Sequence, residues 1–375
     1  MTEYKTKVLK IDPATVFFDE NGELHITCDE TKDILEYASR LLHDSQVVAF
    51  PTETVYGLGA SSLSSDAVRR IYEAKNRPAD NPLISHISSI DMVKDVFNTT
   101  VPDVYKPLIS KFWPGPLSIV LPVTPGCPIS ELVTAGQDTF AVRFPVNVVA
   151  RAIIAYSGLP LAAPSANAST RPSPTTAAHV VKDLNGRIPL VIDGGMCDVG
   201  LESTVVDGTV DPPMLLRPGG VSLEDVRSVG GPWANVVLGK KTAGQYEKVR
   251  TPGMKYKHYS PNATVVLFEN VDDVSSAIGR YVEKVGPLNG AKIAVLRTKR
   301  WNTIPDYADI IIDLGKKGED IQRNLFSALR DADGKGVDLI FVEGIGEEGE
   351  GLAIMNRLSK AATVSINDCN DSRDQ

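Results

Sequence analysis

The sequence is poor in the residues that build metal or disulfide frameworks. Its four cysteines, Cys28, Cys127, Cys197 and Cys369, are scattered along 375 residues, and no CxxC pair occurs. Single cysteines at such spacings do not support a zinc knuckle or a disulfide framework. They fit a protein of a reducing compartment.

Long apolar runs and an excess of positive charge are also missing. No run of about 18 apolar residues occurs, and MTEYKTKVLKIDPATVFFDE at the N-terminus lacks the apolar core of a signal peptide. The formal net charge is −8, whereas a dominant nucleic-acid surface usually accompanies a basic balance. These absences predict a cytoplasmic protein without a membrane segment.

The length predicts two domains, because single cores stop growing at about 250–300 residues. Predicted strands over 45–50, 116–123, 139–146, 159–167, 189–195 and 203–208, with few helices between them, indicate an α+β or mixed α/β domain over 1–229. After residue 263, strands and helices alternate, which favours a small parallel sheet covered by helices. Residues 230–262 are rich in Gly, Lys and Pro and are interpreted as a linker.

Two helices of the first domain frame its polar loops. The first is predicted over 64–75 with Ser65 as its N-cap. The second is predicted to begin with Ser173 as N-cap and Pro174 as its first residue, and to end at Leu184. Prolines 78 and 82 end the first helix, so Lys75 lies in its last turn and Arg77 in an extended loop.

Lys75 and Arg77 are candidates for binding an anion. A cation in a last helical turn also stabilises the helix dipole by about 0.3–1 kcal/mol, which alone would explain Lys75. Arg77 is different, because its guanidinium offers a rigid fork to a phosphate or carboxylate from a loop stiffened by proline. The loop PSANASTRPSPTTAA over 164–178 is a second candidate, since it joins a strand to a predicted helix N-terminus. A plain polar loop explains it equally well.

Other residues are weaker candidates on their chemistry alone. Thr52 follows a strand and either binds a small polar substrate or caps a turn. Arg143 lies within a strand, where a charge is unusual unless it is paired or reaches a ligand. His86, Arg217 and Tyr259 are also explained by structural or surface roles. The loop EGIGEEGEGL over 343–352 is rich in glutamate and is interpreted as solvated, because it would repel phosphates.

Taken together, the motifs resemble one family. PTETVYGLGA, KNRPADNPL, WPGPLSIVL, DTFAVRFP, AAPSANASTRPSPT, GLESTVVD and LLRPGG occur in this order. The set resembles the YrdC-type domain of the threonylcarbamoyl-AMP synthases. PGMKYKHYSP and GLAIMNRLSKAA resemble the linker and the C-terminal domain of the two-domain branch. The resemblance implies a YrdC-like mixed α/β domain with a twisted, largely mixed sheet, and a small Rossmann-like parallel α/β domain over 263–375.

The resemblance also implies a reaction. The family makes L-threonylcarbamoyladenylate from ATP, L-threonine and bicarbonate or CO2, and releases pyrophosphate. A separate transferase complex then moves the group to the adenosine beside the anticodon of tRNAs. The resemblance implies Mg²⁺ bound with ATP, largely through phosphates and water rather than a protein cage. It assigns no protein ligand to the metal.

Site residues follow from the same resemblance. The catalytic set is Lys75, Arg77, Ser165 and Asn167. The implied ATP contacts are Lys75, Arg77, Asn81, Thr139, Ser165, Asn167, Ser173, Arg217 and Tyr259. The implied threonine pocket is Thr52, His86, Arg143, the backbone at Ala163, and Ser203. The linker is expected to close over the nucleotide, because the carbamate intermediate needs a site that excludes water.

Three alternatives stay open from the sequence. A carbamoyltransferase related to the hydrogenase-maturation proteins would need an acylphosphatase-like region and zinc-binding cysteine pairs, which this chain lacks. A weak RNA contact or an RNA-binding role would appear as a salt-dependent affinity. A regulatory sensor of ATP or threonine would bind without releasing pyrophosphate. A monomer is expected.

Overall fold

The structure is a computed structural model that describes residues 4–239, 258–303 and 306–367. The chain divides into two compact units. The first comprises Met1–Ser169 and Ser173–Tyr256, and the second comprises Thr170–Pro172 and Lys257–Gln375. The predicted linker over 230–262 falls largely on residues 240–257, which lie outside the described residues. Its closing role therefore stays a prediction.

Strands and helices alternate through most of the first unit. Its strands are β1 (Lys7–Lys10), β2 (Val16–Phe18), β3 (Leu24–Ile26), β4 (Val48–Phe50), β5 (Gly57–Ser61), β6 (Ile84–His86), β7 (Leu117–Pro122), β8 (Thr139–Arg143), β9 (Leu161–Ala162), β10 (Leu190–Asp193), β11 (Thr204–Asp207), β12 (Met214–Arg217) and β13 (Val237–Leu238). Its α-helices are α1 (Asp29–His43), α2 (Ser65–Lys75), α3 (Asp91–Asp95), α4 (Lys106–Phe112), α5 (Glu131–Thr134), α6 (Val148–Ser157), α7 (Ala177–Leu184) and α8 (Leu223–Ser228).

Eleven of these strands form one mixed sheet, in the order β1-β10-β4-β5-β9-β6-β8-β7-β11-β12-β13. β6 and β8 are parallel, and β7 is antiparallel to β8. β2 and β3 form a separate antiparallel pair. The predicted mixed sheet is confirmed. The expectation of few helices is wrong, because short helices join most of the strands.

The packing of α1 and α6 illustrates how apolar spacing builds the core. Ile34, Leu35, Ala38 and Leu42 recur on one face of α1 and are buried in a cluster with α6. α6 begins where the Asn147 side chain accepts hydrogen bonds from the N–H groups of residues 149 and 150. A buried aliphatic side chain of this kind contributes about 1.5–3 kcal/mol relative to exposure.

Two predicted N-caps are wrong. The cap of α2 is Ser64, whose side chain accepts from the Ala67 N–H, rather than Ser65. The cap of α7 is Thr176, which accepts from the His179 N–H, so this helix begins three residues later than the Ser173–Pro174 pattern predicts. The Ser173 hydroxyl donates instead to the Glu202 carboxylate at 2.5 Å. A distant partner therefore overrides the local capping signal.

The second unit is a five-stranded parallel sheet with helices. Its strands are β14 (Thr264–Glu269), β15 (Ile293–Arg297), β16 (Ile310–Asp313), β17 (Leu339–Glu343) and β18 (Val364–Asn367), in the order β16-β15-β17-β14-β18. Its helices are α9 (Val274–Lys284), α10 (Gly318–Gly334) and α11 (Gly351–Ala361). The predicted parallel α/β architecture is confirmed. The apolar runs of β14, β15 and β17 are typical of strands covered on both faces.

Edge strands were the hardest to predict. β1 and β18 each lie at the edge of a sheet; three of the four residues of β1 are exposed, and only Ile366 of β18 is buried. KVLK and VSIN are four residues long, and short strands are common at sheet edges. No helix among the described residues is long and apolar enough to cross a bilayer.

Candidate active site

The polar candidates of the first unit collect at the ends of neighbouring strands. His86 ends β6 and Arg143 ends β8, and the two residues are register partners in the parallel pair. Ser118 of β7 pairs with Arg143 from the other side. Ser203 directly precedes β11, which pairs with β7. The sheet thus brings together residues that are far apart in the sequence.

Arg143 is held by a buried network. It is 3% exposed, and its guanidinium donates to the Glu53 carboxylate at 2.5 Å and to the Thr54 hydroxyl at 2.7 Å. Its Nε donates to the Gly115 carbonyl at 3.3 Å. The Thr52 hydroxyl lies 2.8 Å from that of Thr54 and donates to the Val55 carbonyl. The unusual charge within β8 is therefore paired inside the chain, chiefly by Glu53.

His86 is a neutral imidazole at ordinary pH. Burial, with the neighbouring Arg143 guanidinium as the second cause, lowers the pKa of His86 to about 3. Its Nδ1 lies 3.2 Å from the Ile84 carbonyl. A group of this kind can orient a substrate by hydrogen bonding, and it is not a source of positive charge near pH 7.

Ser203 and Arg217 form the next part of the cluster. The Arg217 side chain donates to the Ser203 carbonyl at 2.9 Å and to its hydroxyl at 3.1 Å. The Ser203 and Ser118 hydroxyls lie 2.8 Å apart. Gly219 packs against this segment so closely that a Cβ would lie 2.2 Å from the Glu202 carbonyl oxygen. Only glycine therefore fits beside the backbone of residues 202–204.

Lys75 joins the end of α2 to the 164–178 loop. Its Nζ donates to the carbonyls of Ser165 at 2.5 Å and Asn167 at 2.6 Å, and it is 2% exposed. The Asn167 Oδ1 lies 3.4 Å from the same ammonium. Ser165 also bridges to Gly57 at the start of β5. The predicted association of Lys75 with Ser165 and Asn167 thus exists as a buried contact.

Arg77 and Asn81 lie in the loop after α2. α2 ends at Asn76, which has φ +50°, and the Arg77 N–H donates back to the Tyr72 carbonyl. Arg77 lines a cavity of about 470 Å³ with Tyr72, Pro78 and neighbouring residues. The Asn81 amide donates to Asp80, while its Oδ1 is buried without a hydrogen-bond partner among the described residues.

The remaining candidates occupy varied positions. Thr139 begins β8 and is partly exposed. Ser173 is buried against Glu202. The Ala163 N–H donates to the Ile84 carbonyl at 3.1 Å, so this N–H is already used within the chain. Tyr259 belongs to the second unit, has φ +63°, and stacks on Phe326 with ring centroids 5.1 Å apart.

Three side chains that contact candidate site residues were not predicted from the sequence. Glu53 pairs with Arg143, Glu202 accepts from Ser173, and Ser118 pairs with Ser203. Only Glu53 had a usable signal, because it lies between Thr52 and Thr54 at a strand end and Arg143 needed an anionic partner. Ser118 and Glu202 gave no local signal.

The arrangement is suited to binding a small polar or anionic molecule. Buried cations and hydroxyls converge from separate strands, and they are held by hydrogen bonds before any ligand arrives. Three metal-binding side chains meet at one place in the described residues, Asp19, Glu23 and His25. None of these was predicted to contact ATP.

Comparisons with known proteins cover almost the whole chain. A family model described as "Telomere recombination" matches residues 40–219. A second, described as "Threonylcarbamoyl-AMP synthase, C-terminal domain", matches residues 221–363. The two matches meet near residue 220.

Relatives and a solved structure match both units. The threonylcarbamoyl-AMP synthase of Schizosaccharomyces pombe is 48% identical, over 96% of this chain and 98% of the relative. That of Bacillus subtilis is 45% identical, over 87% and 92%. The crystal structure of Pyrococcus abyssi Sua5 complexed with L-threonine has a TM-score of 0.81 and 40% identity, and covers 96% of this chain and 99% of that one.

Proposed function

Because the chain belongs to the threonylcarbamoyl-AMP synthase family, we propose that it makes L-threonylcarbamoyladenylate from ATP, L-threonine and bicarbonate or CO2, with release of pyrophosphate. The observation that carries this function is the end-to-end likeness to synthases of that name. The buried polar cluster of the first unit supports it, since it holds most of the residues that the family motifs imply.

The ATP side of the site rests on Lys75, Arg77, Ser165 and Asn167. The attack of an N-carboxythreonine carboxylate on the α-phosphorus brings one anion to another, so nearby cations stabilise the transition state and the leaving pyrophosphate. Lys75 already contacts the loop that carries Ser165 and Asn167. Bound nucleotide would draw its ammonium toward phosphate while the loop stays close.

A buried amide supports a nucleotide contact beside this cation pair. The Asn81 Oδ1 has no donor among the described residues, although burial of an unpaired polar atom costs about 1–3 kcal/mol. An exocyclic amine, a hydroxyl or a magnesium-bound water of the nucleotide would provide that donor. The predicted ATP roles of Thr139, Ser173, Arg217 and Tyr259 stay predictions.

The threonine side rests on Thr52, His86, Arg143, Ala163 and Ser203. Arg143 is balanced by Glu53, so it presents little net charge and acts mainly as an oriented donor. The Ala163 carbonyl, rather than its N–H, is the backbone group that a ligand would meet. A methyl-sized pocket discriminates threonine from serine by only about 1–3 kcal/mol, whereas a hydrogen-bonded hydroxyl rejects valine more sharply.

Pyrophosphate release by the full chain tests this function. The assay contains ATP, Mg²⁺ and bicarbonate, with and without L-threonine. We expect release that needs both threonine and bicarbonate and that is lost in the Lys75→Ala, Arg77→Ala double variant. The control is the Lys106→Ala variant, since Lys106 carries the same charge on α4 and forms an exposed ion pair with Asp103. ATP binding without release would favour the sensor alternative, and an RNA affinity that ATP does not compete with would favour the RNA-binding one.

The proposal also covers the protein's partner, its location and the role of its linker. The product would pass to the tRNA threonylcarbamoyl transferase complex, and the protein would act as a cytoplasmic monomer. The linker over 230–262 would exclude water from the carbamate. A chain ending near residue 229 should then lose adenylate formation, and full activity of that shortened chain would contradict the linker's role.

A further inference from the structure

The second unit has a crevice where its strand connections diverge. β15 and β17 are neighbours in the parallel sheet. The chain leaves β15 toward β16 on one side and leaves β17 toward β18 on the other. Open parallel sheets bind ligands at the carboxyl ends of strands where successive connections part in this way. The geometry therefore opens a crevice between the loops that follow β15 and β17.

A cavity of about 410 Å³ occupies this crevice. It is lined by residues that directly follow three adjacent strands, together with one side chain of α11. The lining residues used below are Glu269, Lys299, Arg300, Gly344, Gly346 and Glu347. All of them belong to the second unit, whereas the residues of the predicted threonine pocket belong to the first.

One wall of the crevice is cationic and is held in place by a buried carboxylate. Glu343, at the end of β17, is fully buried and accepts hydrogen bonds from the N–H groups of residues 298, 299, 300 and 301 at 2.6–3.2 Å. Four main-chain donors fix the loop after β15. This loop carries Lys299 and Arg300 into the cavity lining.

The cations of this wall are not both consumed by the chain. Arg300 donates to the Gly344 carbonyl at 3.1 Å, and its side chain is 35% exposed. The Lys299 ammonium has no hydrogen bond or ion pair among the described residues. Arg300 also lies 3.7 Å from the Glu343 carboxylate and 3.9 Å from that of Asp272, so Lys299 is the cation that this wall offers to a ligand.

The opposite wall is anionic. Glu269 ends β14, two strands away from β15, which corresponds to roughly 10 Å between strand axes. Its carboxylate has no ion pair in the part of the chain that the structure describes, although Lys299 lines the same cavity. Glu347 adds a second carboxylate from the loop after β17. The Lys299 ammonium and the Glu269 carboxylate thus border one crevice without contacting each other.

Two glycines, Gly344 and Gly346, contribute to the lining between these walls. A Cβ on Gly344 would lie 2.8 Å from the Phe268 carbonyl oxygen, and one on Gly351 would lie 1.8 Å from the Gly346 oxygen. The loop therefore folds tightly onto the start of α11, and only glycine permits it. At Gly346 a Cβ would meet nothing within 4 Å, so the open side of the loop faces free space.

The charge pattern selects a class of ligand. A nucleotide phosphate would be drawn to Lys299 and Arg300, yet Glu269 and Glu347 would repel it. A molecule with one carboxylate and one ammonium meets both walls with opposite charge. We infer that this crevice binds a zwitterionic α-amino acid, whose carboxylate contacts Lys299 and whose ammonium contacts Glu269. This inference does not depend on the proposed synthase activity.

Titration of the full chain with single amino acids tests the inference. Calorimetry with each proteinogenic amino acid at millimolar concentration should find one that binds. The Lys299→Met and Glu269→Gln variants should each weaken that binding by at least about tenfold. Matched controls are Lys284→Met and Glu283→Gln, which alter exposed charges on α9 outside the cavity and should leave binding unchanged.

Further measurements separate this crevice from the predicted threonine pocket. Acetate and methylamine, which present the two charges singly, should each bind far more weakly than the amino acid. Pyrophosphate release should be unchanged in Lys299→Met when no second amino acid is added. Fluorescence of Trp301, buried beside the same loop, reports whether each variant is folded.

Four results would overturn the inference. The first is that no amino acid binds beyond the predicted threonine pocket. The second is binding that Lys299→Met and Glu269→Gln leave unchanged, which would place the ligand elsewhere. The third is acetate binding as tightly as the amino acid. The fourth is inorganic phosphate or ATP binding that depends on Lys299, which would make the crevice an anion site.

Discussion

Each unit contains a fully or almost fully buried carboxylate, and the two are balanced in different ways. Glu53 of the first unit is paired with the Arg143 guanidinium at 2.5 Å. Glu343 of the second unit accepts from four main-chain N–H groups. The first arrangement uses a side-chain cation at hydrogen-bond distance, whereas in the second the nearest cation, Arg300, lies 3.7 Å away and Lys299 is left for a ligand. A buried carboxylate can thus either neutralise a side-chain cation or fix a loop through main-chain hydrogen bonds.

The largest expected effect is a difference in the free energy of unfolding between variants of Arg143 and Arg300. Arg143→Met should lower the free energy of unfolding of the first unit by ~3–5 kcal/mol, because it leaves the Glu53 charge buried and unpaired. Arg300→Met should cost less than ~1 kcal/mol, because its ion pair with Glu343 is long, at 3.7 Å, and Glu343 keeps its main-chain donors. Urea unfolding with hydrogen exchange of β8 and β17 measures each unit. Equal losses in the two variants would contradict the comparison.

Replacing the second carboxylate should have a smaller but clear effect. Glu343→Gln places an amide N–H₂ against main-chain donors, so some of them lose their acceptor. We expect a loss of ~2–3 kcal/mol in the second unit, and faster hydrogen exchange at residues 298–301. Glu348→Gln, in the exposed part of the loop after β17, is the control and should change the free energy of unfolding by less than ~0.5 kcal/mol. Unchanged exchange at residues 298–301 would refute the role of Glu343.

The buried histidine makes the first unit sensitive to acid. The pKa of His86 is about 3 in the folded chain, below its ordinary value of 6.5. Between these two pH values, the unfolded chain therefore binds a proton that the folded chain does not. The stabilisation is complete above pH 6.5 and is lost as the pH falls toward 3. Between pH 6.5 and about 5, the wild-type chain should lose ~2 kcal/mol more than His86→Gln. Parallel urea titrations at the two pH values measure this difference, and identical losses would mean that His86 is not buried as a neutral group.

The smallest expected effect comes from the contact between the Ser118 and Ser203 hydroxyls. Ser118→Ala removes the partner of the Ser203 hydroxyl and should cost ~1 kcal/mol of unfolding free energy. Arg217 still donates to the Ser203 hydroxyl, so its position should change little. We therefore expect a modest rise in KM for threonine with kcat nearly unchanged. A large fall in kcat would instead place Ser118 in the chemical step.

Much of this architecture could be predicted from local patterns, and the rest depended on distant contacts. The apolar runs of β14, β15 and β17 predicted their strands, since strands covered on both faces are apolar throughout. The motifs predicted that Lys75, Ser165 and Asn167 belong together. The partner of Arg143 could not be assigned, because Glu53 lies 90 residues earlier in the chain. The predicted N-cap of α7 was wrong for the same reason, since the Ser173 hydroxyl donates to Glu202, a residue distant in the sequence.

The measurement that tests the central claim most directly is a mass spectrum of the nucleotide product. The full chain is given ATP, Mg²⁺, L-threonine and ¹³C-labelled bicarbonate. The account predicts an adenylate that carries threonine and one labelled carbon, absent when threonine is omitted and absent in the Lys75→Ala, Arg77→Ala variant. A product limited to AMP or ADP, or bound ATP with no new adenylate, would contradict it.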